Sequence, residues 1–454
     1  MDDLIKTKDG RIYEKEKPKI NEINENNKNA PKTKYRVMLC ATYYKLYSGY
    51  ARVVYELLRR LVKKEPDTLE LTLFAFQNSQ QNSVHRDTIE NLTVYDAFEN
   101  EDPKRNGFGE KEIGTYLIKH PQDLVIIYND MSIVSLLTKD IIETVPEEQR
   151  KSMQLWCYID QVYQYQKEQY ICVLNQCFKG IIAFSTYWAD FIKTQVRSDM
   201  PVEILPHGID TQCYYPIPKH ICRLYFSIPN DAFVIGNLNR NQPRKMWSHT
   251  CMAFAELVKK HQDLIKANPS KKYKPLKLLV GTALQGVWNI PEVLSWEFKR
   301  RNLDPNLINS YITAVARPQQ LTDREVNILY NACDICMTTA AGEGWGLPSM
   351  ESAVVGVPSV VLDIGGHKEF LNSGNSVMIQ PVMENYVDAS VDQIGGLSQY
   401  GNPKDFAEAM WKLYQNPAQV RKLGKQARID MVQHFDWDIM ADRLYSIINK
   451  IRDK

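Results

Sequence analysis

The sequence predicts an α/β protein built from two doubly wound, parallel-sheet (Rossmann-like) domains that face each other across a cleft. Three observations predict it. The chain has 454 residues, too many for a single hydrophobic core, so two or more domains are expected. Short continuous apolar runs alternate with helical stretches, the pattern of parallel strands covered on both faces. That alternation starts afresh near Asp231.

Residues 1–33 are rich in Asn, Lys and Glu and poor in apolar side chains, and are expected to form a disordered or loosely attached tail. The N-terminal domain is placed at 34–215. YRVMLCAT, from Tyr35, reads as its first strand, followed by a turn at Ser48-Gly49. The next stretch, ARVVYELLRRLVKK, carries Val53, Val54, Leu57, Leu58 and Leu61 on one helical face. ELTLFAF, DLVIIYN, QLWCYI, GIIAFS and VEILPHG supply further strands. The C-terminal domain, at 225–435, repeats the scheme with AFVIGNLN, LKLLVGT, YITAVA, DICMTT and PSVVLDI. Its TDREVNILYNA helix opens on a capping-box pair, Thr322 and Glu325. The segment 436–454 reads as a last helix, from Trp437 to about Ile451, free to pack back on the first domain. In such sheets ligands bind beyond the carboxyl ends of the strands, which makes the interdomain cleft the expected site.

Several classes are disfavoured. The formal charge of +2 supplies no broad field for a polyanion, so no nucleic-acid partner is expected. The apolar runs Ile181–Phe184 and Val354–Leu362 fall far short of a bilayer span. The first residues have no signal-peptide core, so a cytoplasmic location is expected, with peripheral membrane contact through Lys-rich first-domain helices left open. The nine cysteines, including the Cys333-x-x-Cys336 pair, read as reduced, packed thiols. There is no P-loop, and no G-x-G-x-x-G follows the first strand, which weighs against a dinucleotide oxidoreductase.

Two stretches carry chemistry. In GEGWGLPSMESAVVGVP, Gly342, Gly344 and Gly346 let backbone approach a ligand closely. Pro348 suits the first turn of a helix whose leading amides make an anion site. Glu343 on the loop and Glu351 inside the helix are placed to accept hydrogen bonds from two sugars of one bound molecule. In GNLNRNQPRK, Arg240, Arg244 and Lys245 stand after a strand, where cations neutralise a diphosphate. Asp436-Trp437-Asp438 is a D-x-D, but at a helix start capping outweighs metal binding.

Taken together, the chain resembles the GT-B fold glycosyltransferases, specifically the retaining group called glycosyltransferase family 4. The likeness rests on the E-x7-E pair Glu343 and Glu351, the Arg-x4-Lys pair Arg240 and Lys245, and PHGID at Pro206–Asp210. Weaker echoes are SGYARVV and IGGHKEFL. The resemblance implies a metal-independent transfer from a nucleotide sugar, a UDP- or GDP-sugar, to a glycan, protein or lipid acceptor, without a cofactor. It further implies that Arg240 and Lys245 bind the diphosphate, Glu351 the ribose and Glu343 the donor sugar. Gly344 belongs to the donor loop, amides at Gly346 and Leu347 complete the phosphate site, and Gly49 lies near the diphosphate. The chain departs from the family at the first-domain His: WCYIDQVYQYQ offers Asp160 instead, either as a working substitute or as a shape element. Tyr163, Tyr165 and Tyr170 nearby read as an acceptor platform or, more simply, a half-buried helix face. The rival to an enzyme is a silent GT-B module that binds nucleotide sugar or glycan.

Overall fold

The computed structural model describes residues 4–6, 12–14, 34–78, 84, 86–101, 107–315, 318, 321–388 and 394–453. Met1–Lys34 and Tyr35–Lys454 are separate compact units. In the first, β1 (Leu4–Lys6) and β2 (Ile12–Glu14) pair antiparallel. The rest of the stretch expected to be a tail lies outside the described residues.

The second unit holds two parallel sheets. One has seven strands in the order β5-β4-β3-β6-β7-β8-β9. These are β3 (Tyr35–Thr42), β4 (Leu69–Phe76), β5 (Leu92–Asp96), β6 (Leu124–Asp130), β7 (Gln154–Asp160), β8 (Gly180–Ala183) and β9 (Val202–Ile204). The other has six, in the order β12-β11-β10-β13-β14-β15. They are β10 (Phe233–Asn237), β11 (Leu276–Val280), β12 (Ile312–Ala314), β13 (Ile335–Thr338), β14 (Ser359–Leu362) and β15 (Val377–Ile379). This is the GT-B arrangement of two Rossmann-like sheets. Strand order reverses between β3 and β6 and between β10 and β13, and crevices for ligands open at such switch points.

Five helices position the site: α1 (Gly49–Leu61), α2 (Trp247–Ala267), α3 (Asp323–Ala332), α4 (Leu347–Val354) and α5 (Trp437–Arg452). Ser48 caps α1 by accepting from the Ala51 amide at 3.1 Å. The Thr322–Glu325 capping box of α3 is present in full. Asp436 caps α5, accepting from the Asp438 amide at 2.8 Å, while Asp438 itself pairs with Arg60. Buried faces of α1 and α5 meet, with Leu57, Leu61, Leu444 and Ile448 in one apolar cluster. No helix of the described residues is long and apolar enough to cross a membrane.

Within the second unit, three strand features were not anticipated: the edge strands β5 and β15, and a hairpin of β16 (Met383–Val387) and β17 (Gly396–Tyr400). The hairpin stands apart from both sheets. Through Leu397 it bridges to Gln164, and the Gln399 amide donates to the Ala341 carbonyl at 2.9 Å. It thereby ties the loop after Asp160 to the loop before Glu343.

Candidate functional site

Parallel strands deliver their following loops to one end of a sheet, so the segments after β3, β7, β10 and β13 all converge on the cleft. The β10 loop runs from Arg240 into a short 3-10 turn, Pro243–Lys245, ahead of α2. That turn aims the Lys245 ammonium inward, where it is buried and ion-paired with the equally buried Glu343 from the β13 loop. Burial would push the Glu343 carboxyl up, but Lys245, with His367 and Arg244 near, outweighs it and holds it below its usual value. Burial lowers Lys245, and Glu343 offsets this only in part. Arg244 donates to the Gln242 side chain at 2.8 Å. Its Nε is buried and, among the described residues, has no hydrogen-bond partner. Arg240 extends from the same loop with an exposed side chain.

The glycine loop is shaped for close approach. Gly346, which opens α4, has φ +103°, and a Cβ there would also stand 2.7 Å from the His367 ring. A Cβ on Gly344 would lie 2.0 Å from Asp160 Oδ1, so the first sheet's carboxylate rests directly over the second sheet's loop. Tyr50 donates to Asp160 Oδ2 at 2.6 Å, while Oδ1 is buried with no partner among the described residues. Burial pushes Asp160 up to about 6, against the Tyr50 hydrogen bond and the Arg244 charge. Gly49 approaches Leu347: a Cβ on Gly49 would stand 3.2 Å from its Cδ1. Trp188 donates to the Gly344 carbonyl at 2.8 Å and closes the far side.

Glu351, one turn into α4, is buried and fully engaged. Tyr330 of α3 donates to its Oε2 at 2.8 Å. Arg52 of α1 pairs with its Oε1 and also with Asp323 of α3. Tyr214 lies 3.5 Å from both acids.

The structure therefore gathers Lys245, Glu343, Gly344, Gly346, Leu347, Gly49 and Asp160 at one place, with Arg240 at the rim and Glu351 deeper along α4. Sequence reasoning missed Arg52, Tyr50, Tyr214, Asp323 and Tyr330. Only SGYARVV hinted at Tyr50 and Arg52, and a cation one turn into a helix ordinarily reads as solvated. The simpler expectation of a half-buried helix face holds for Tyr170 and not for Tyr163 and Tyr165. Residues 161–167 form a loop ahead of the helix Glu168–Cys177, with Tyr163 and Tyr170 buried and Tyr165 exposed. His207 is a core group: burial lowers it to about 3, and the Tyr158 hydroxyl lies 2.9 Å from its Nδ1. All nine cysteines are free thiols, with Cys333 and Cys336 buried. Among the described residues no group of three or more His, Cys, Asp or Glu is placed to share a metal ion.

Residues 312–430 match the family described as Glycosyl transferases group 1. Over 240 residues, 53% of this chain and 49% of the relative, the sequence is 22% identical to D-inositol 3-phosphate glycosyltransferase of Kribbella flavida. The same-named protein of Stackebrandtia nassauensis is 24% identical over 54% of this chain and 47% of its own length. The chain thus spans about half the length of these curated relatives. Among solved structures, sucrose-phosphate synthase of Thermosynechococcus elongatus superposes with a TM-score of 0.66 at 14% identity, covering 92% of this chain and 100% of that one. Anabaena HepE, solved in complex with UDP and glucose, gives 0.62 at 15% identity, covering 92% and 100%. These likenesses support the GT-B fold and a group 1 glycosyl transferase relationship.

Proposed function

We propose that this chain is a retaining glycosyltransferase. It moves a sugar from a nucleoside-diphosphate donor, a UDP- or GDP-sugar, to a hydroxyl of a glycan, protein or lipid, with no metal required. The observation that carries the proposal is the buried Lys245–Glu343 pair beside Arg244 and Arg240, set between the ends of β10 and β13. Breaking the bond from anomeric carbon to phosphate oxygen puts extra negative charge on the leaving diphosphate. Preorganised cations and the amides opening α4 at Gly346–Leu347 stabilise that charge most in the transition state. Glu343 meets the donor sugar near its reacting carbon and Glu351 takes the ribose. Asp160 lies across from Gly344, on the acceptor side. The departing phosphate accepts the acceptor's proton on the face where the new bond forms, which gives retention. On this reading 34–215 is the acceptor-side domain and 225–435 the donor-side domain. The work is carried out in a cytoplasm. The glycosyltransferase names of the relatives support sugar transfer, and the UDP bound by HepE supports a nucleotide-sugar donor.

A silent binding module would keep the same pocket, so binding alone does not separate the readings. A panel of nucleotide sugars should include one that stabilises the fold by about 2.7 kcal/mol at a hundredfold excess over its dissociation constant. The same donor should be hydrolysed slowly without acceptor, and Lys245→Ala or Glu343→Ala should cut that rate by about 10² to 10³. Stabilisation without turnover would favour the module; neither would end the proposal.

A further inference from the structure

Glu351 is served by both halves of the molecule. Tyr330 belongs to α3 of the second half, but Arg52 is carried by α1 of the first, 299 residues away in sequence. Arg52 is forked: Nη1 goes to Glu351 and Nη2 to Asp323, and its ring-stacking neighbour is Tyr214 at 5.6 Å. The Arg52 side chain is 18% exposed and that of Glu351 8%, so the Glu351 end of the contact is largely withdrawn from water, while Asp323 at the other end is 42% exposed. It joins the two halves of the second unit directly.

We propose that Arg52 is a positioning residue: by pairing across the cleft it holds Glu351 as an ionised acceptor for the nucleotide's ribose diol and ties donor recognition to closure. This rests on the reading of Glu351 as the ribose acid. The groups facing Glu351 are Tyr47 ahead of α1, Arg52 on α1, Tyr214 after β9, and Asp323 and Tyr330 on α3. Burial pushes Glu351 up, and Arg52 is the foremost opposing influence, with Tyr330 behind it and Asp323 acting the other way. Without the guanidinium, a buried acid beside a second acid keeps its proton to higher pH. A protonated acid has fewer acceptor sites for two hydroxyl donors. Asp323 gives Arg52 a second anchor, so the guanidinium stays near Glu351 when ribose takes part of Oε1.

Binding of UDP, GDP and ADP to the full chain should be measured by calorimetry between pH 5.5 and 8.5, for wild type, Arg52→Gln and Arg52→Lys. Circular dichroism would verify folding. At pH 8 the Gln variant should bind the preferred nucleotide about tenfold more weakly. Its dissociation constant should also rise more steeply than wild type's as pH falls, whereas the Lys variant, which keeps the charge, should follow the wild-type slope. A Gln variant that binds like wild type, or that is weakened by one factor at every pH, would overturn the inference. A wild type that binds none of the three nucleotides would instead bring down the proposed function, and this inference with it.

Discussion

Asp160 is the residue where this chain parts from the family it resembles, and its surroundings give it a measurable signature. One oxygen accepts from Tyr50, the other is buried over Gly344, and burial lifts the carboxyl from 3.8 to about 6. A raised folded value means the folded chain holds this proton more tightly than the unfolded chain. The associated stability is fully present below 3.8 and is lost as pH rises through about 6. Asp160→Asn escapes that loss. The melting-temperature difference between variant and wild type should therefore move in the variant's favour from pH 4.5 to pH 7.5, and a constant difference would mark the carboxylate as solvated. Transfer runs the opposite way. On the proposed function an ionised Asp160 accepts hydrogen bonds from sugar hydroxyls, so the rate should fall on the acid side of about pH 6, and that limb should vanish in the Asn variant.

At the scale of elements, the glycine loop and α4 act as one device. Gly346 turns the chain in a left-handed conformation into α4, with His367 packed underneath and accepting or donating to Ser349 at 3.3 Å. Gly346→Ala meets both the backbone strain and the imidazole, and should cost about 1–3 kcal/mol. Urea unfolding checks this; an unchanged midpoint would mean that the turn relaxes without strain. The variant should also lose nucleotide affinity, because the amides that open α4 shift with the turn. This device was legible because its parts are local: three alternating glycines, a proline and two acids within ten residues. Continuous apolar strands such as YRVMLCAT and DLVIIYN were legible for the same reason. β5 (LTVYD) and β16 (MENYV) were not, since each is short, mixes polar with apolar residues and shows no continuous apolar run. The Arg52–Glu351 pair was hidden more deeply: nothing local distinguishes a tertiary ion pair from a solvated helix face.

Across the whole molecule, α5 ends in the second half of the sequence yet packs on α1 of the first. Two kinds of contact hold it there. Its charged rim pairs Asp438 with Arg60 and Asp442 with Lys64, but the acids are 76% and 62% exposed. Such pairs contribute no more than about 1 kcal/mol each. Its apolar face buries Trp437, Met440, Leu444, Ile447, Ile448 and Ile451, with the Trp437 ring lying against Gly208 near the crossover between the sheets. The Ile209 amide also donates to the Phe435 carbonyl at 2.7 Å, which fixes where α5 begins. Packing should therefore dominate. Trp437→Ala should cost about 3–5 kcal/mol, while Asp438→Asn with Asp442→Asn should stay within about 2 kcal/mol together. Denaturant titration at two salt concentrations separates the two contributions, because only the charged pairs weaken as salt rises. The inequality matters for function because α1, which α5 braces, carries both Arg52 and the Gly49 turn into the cleft. If the double charge variant proved the more damaging, α5 would be an electrostatic clasp, and closure of the cleft would become salt-dependent.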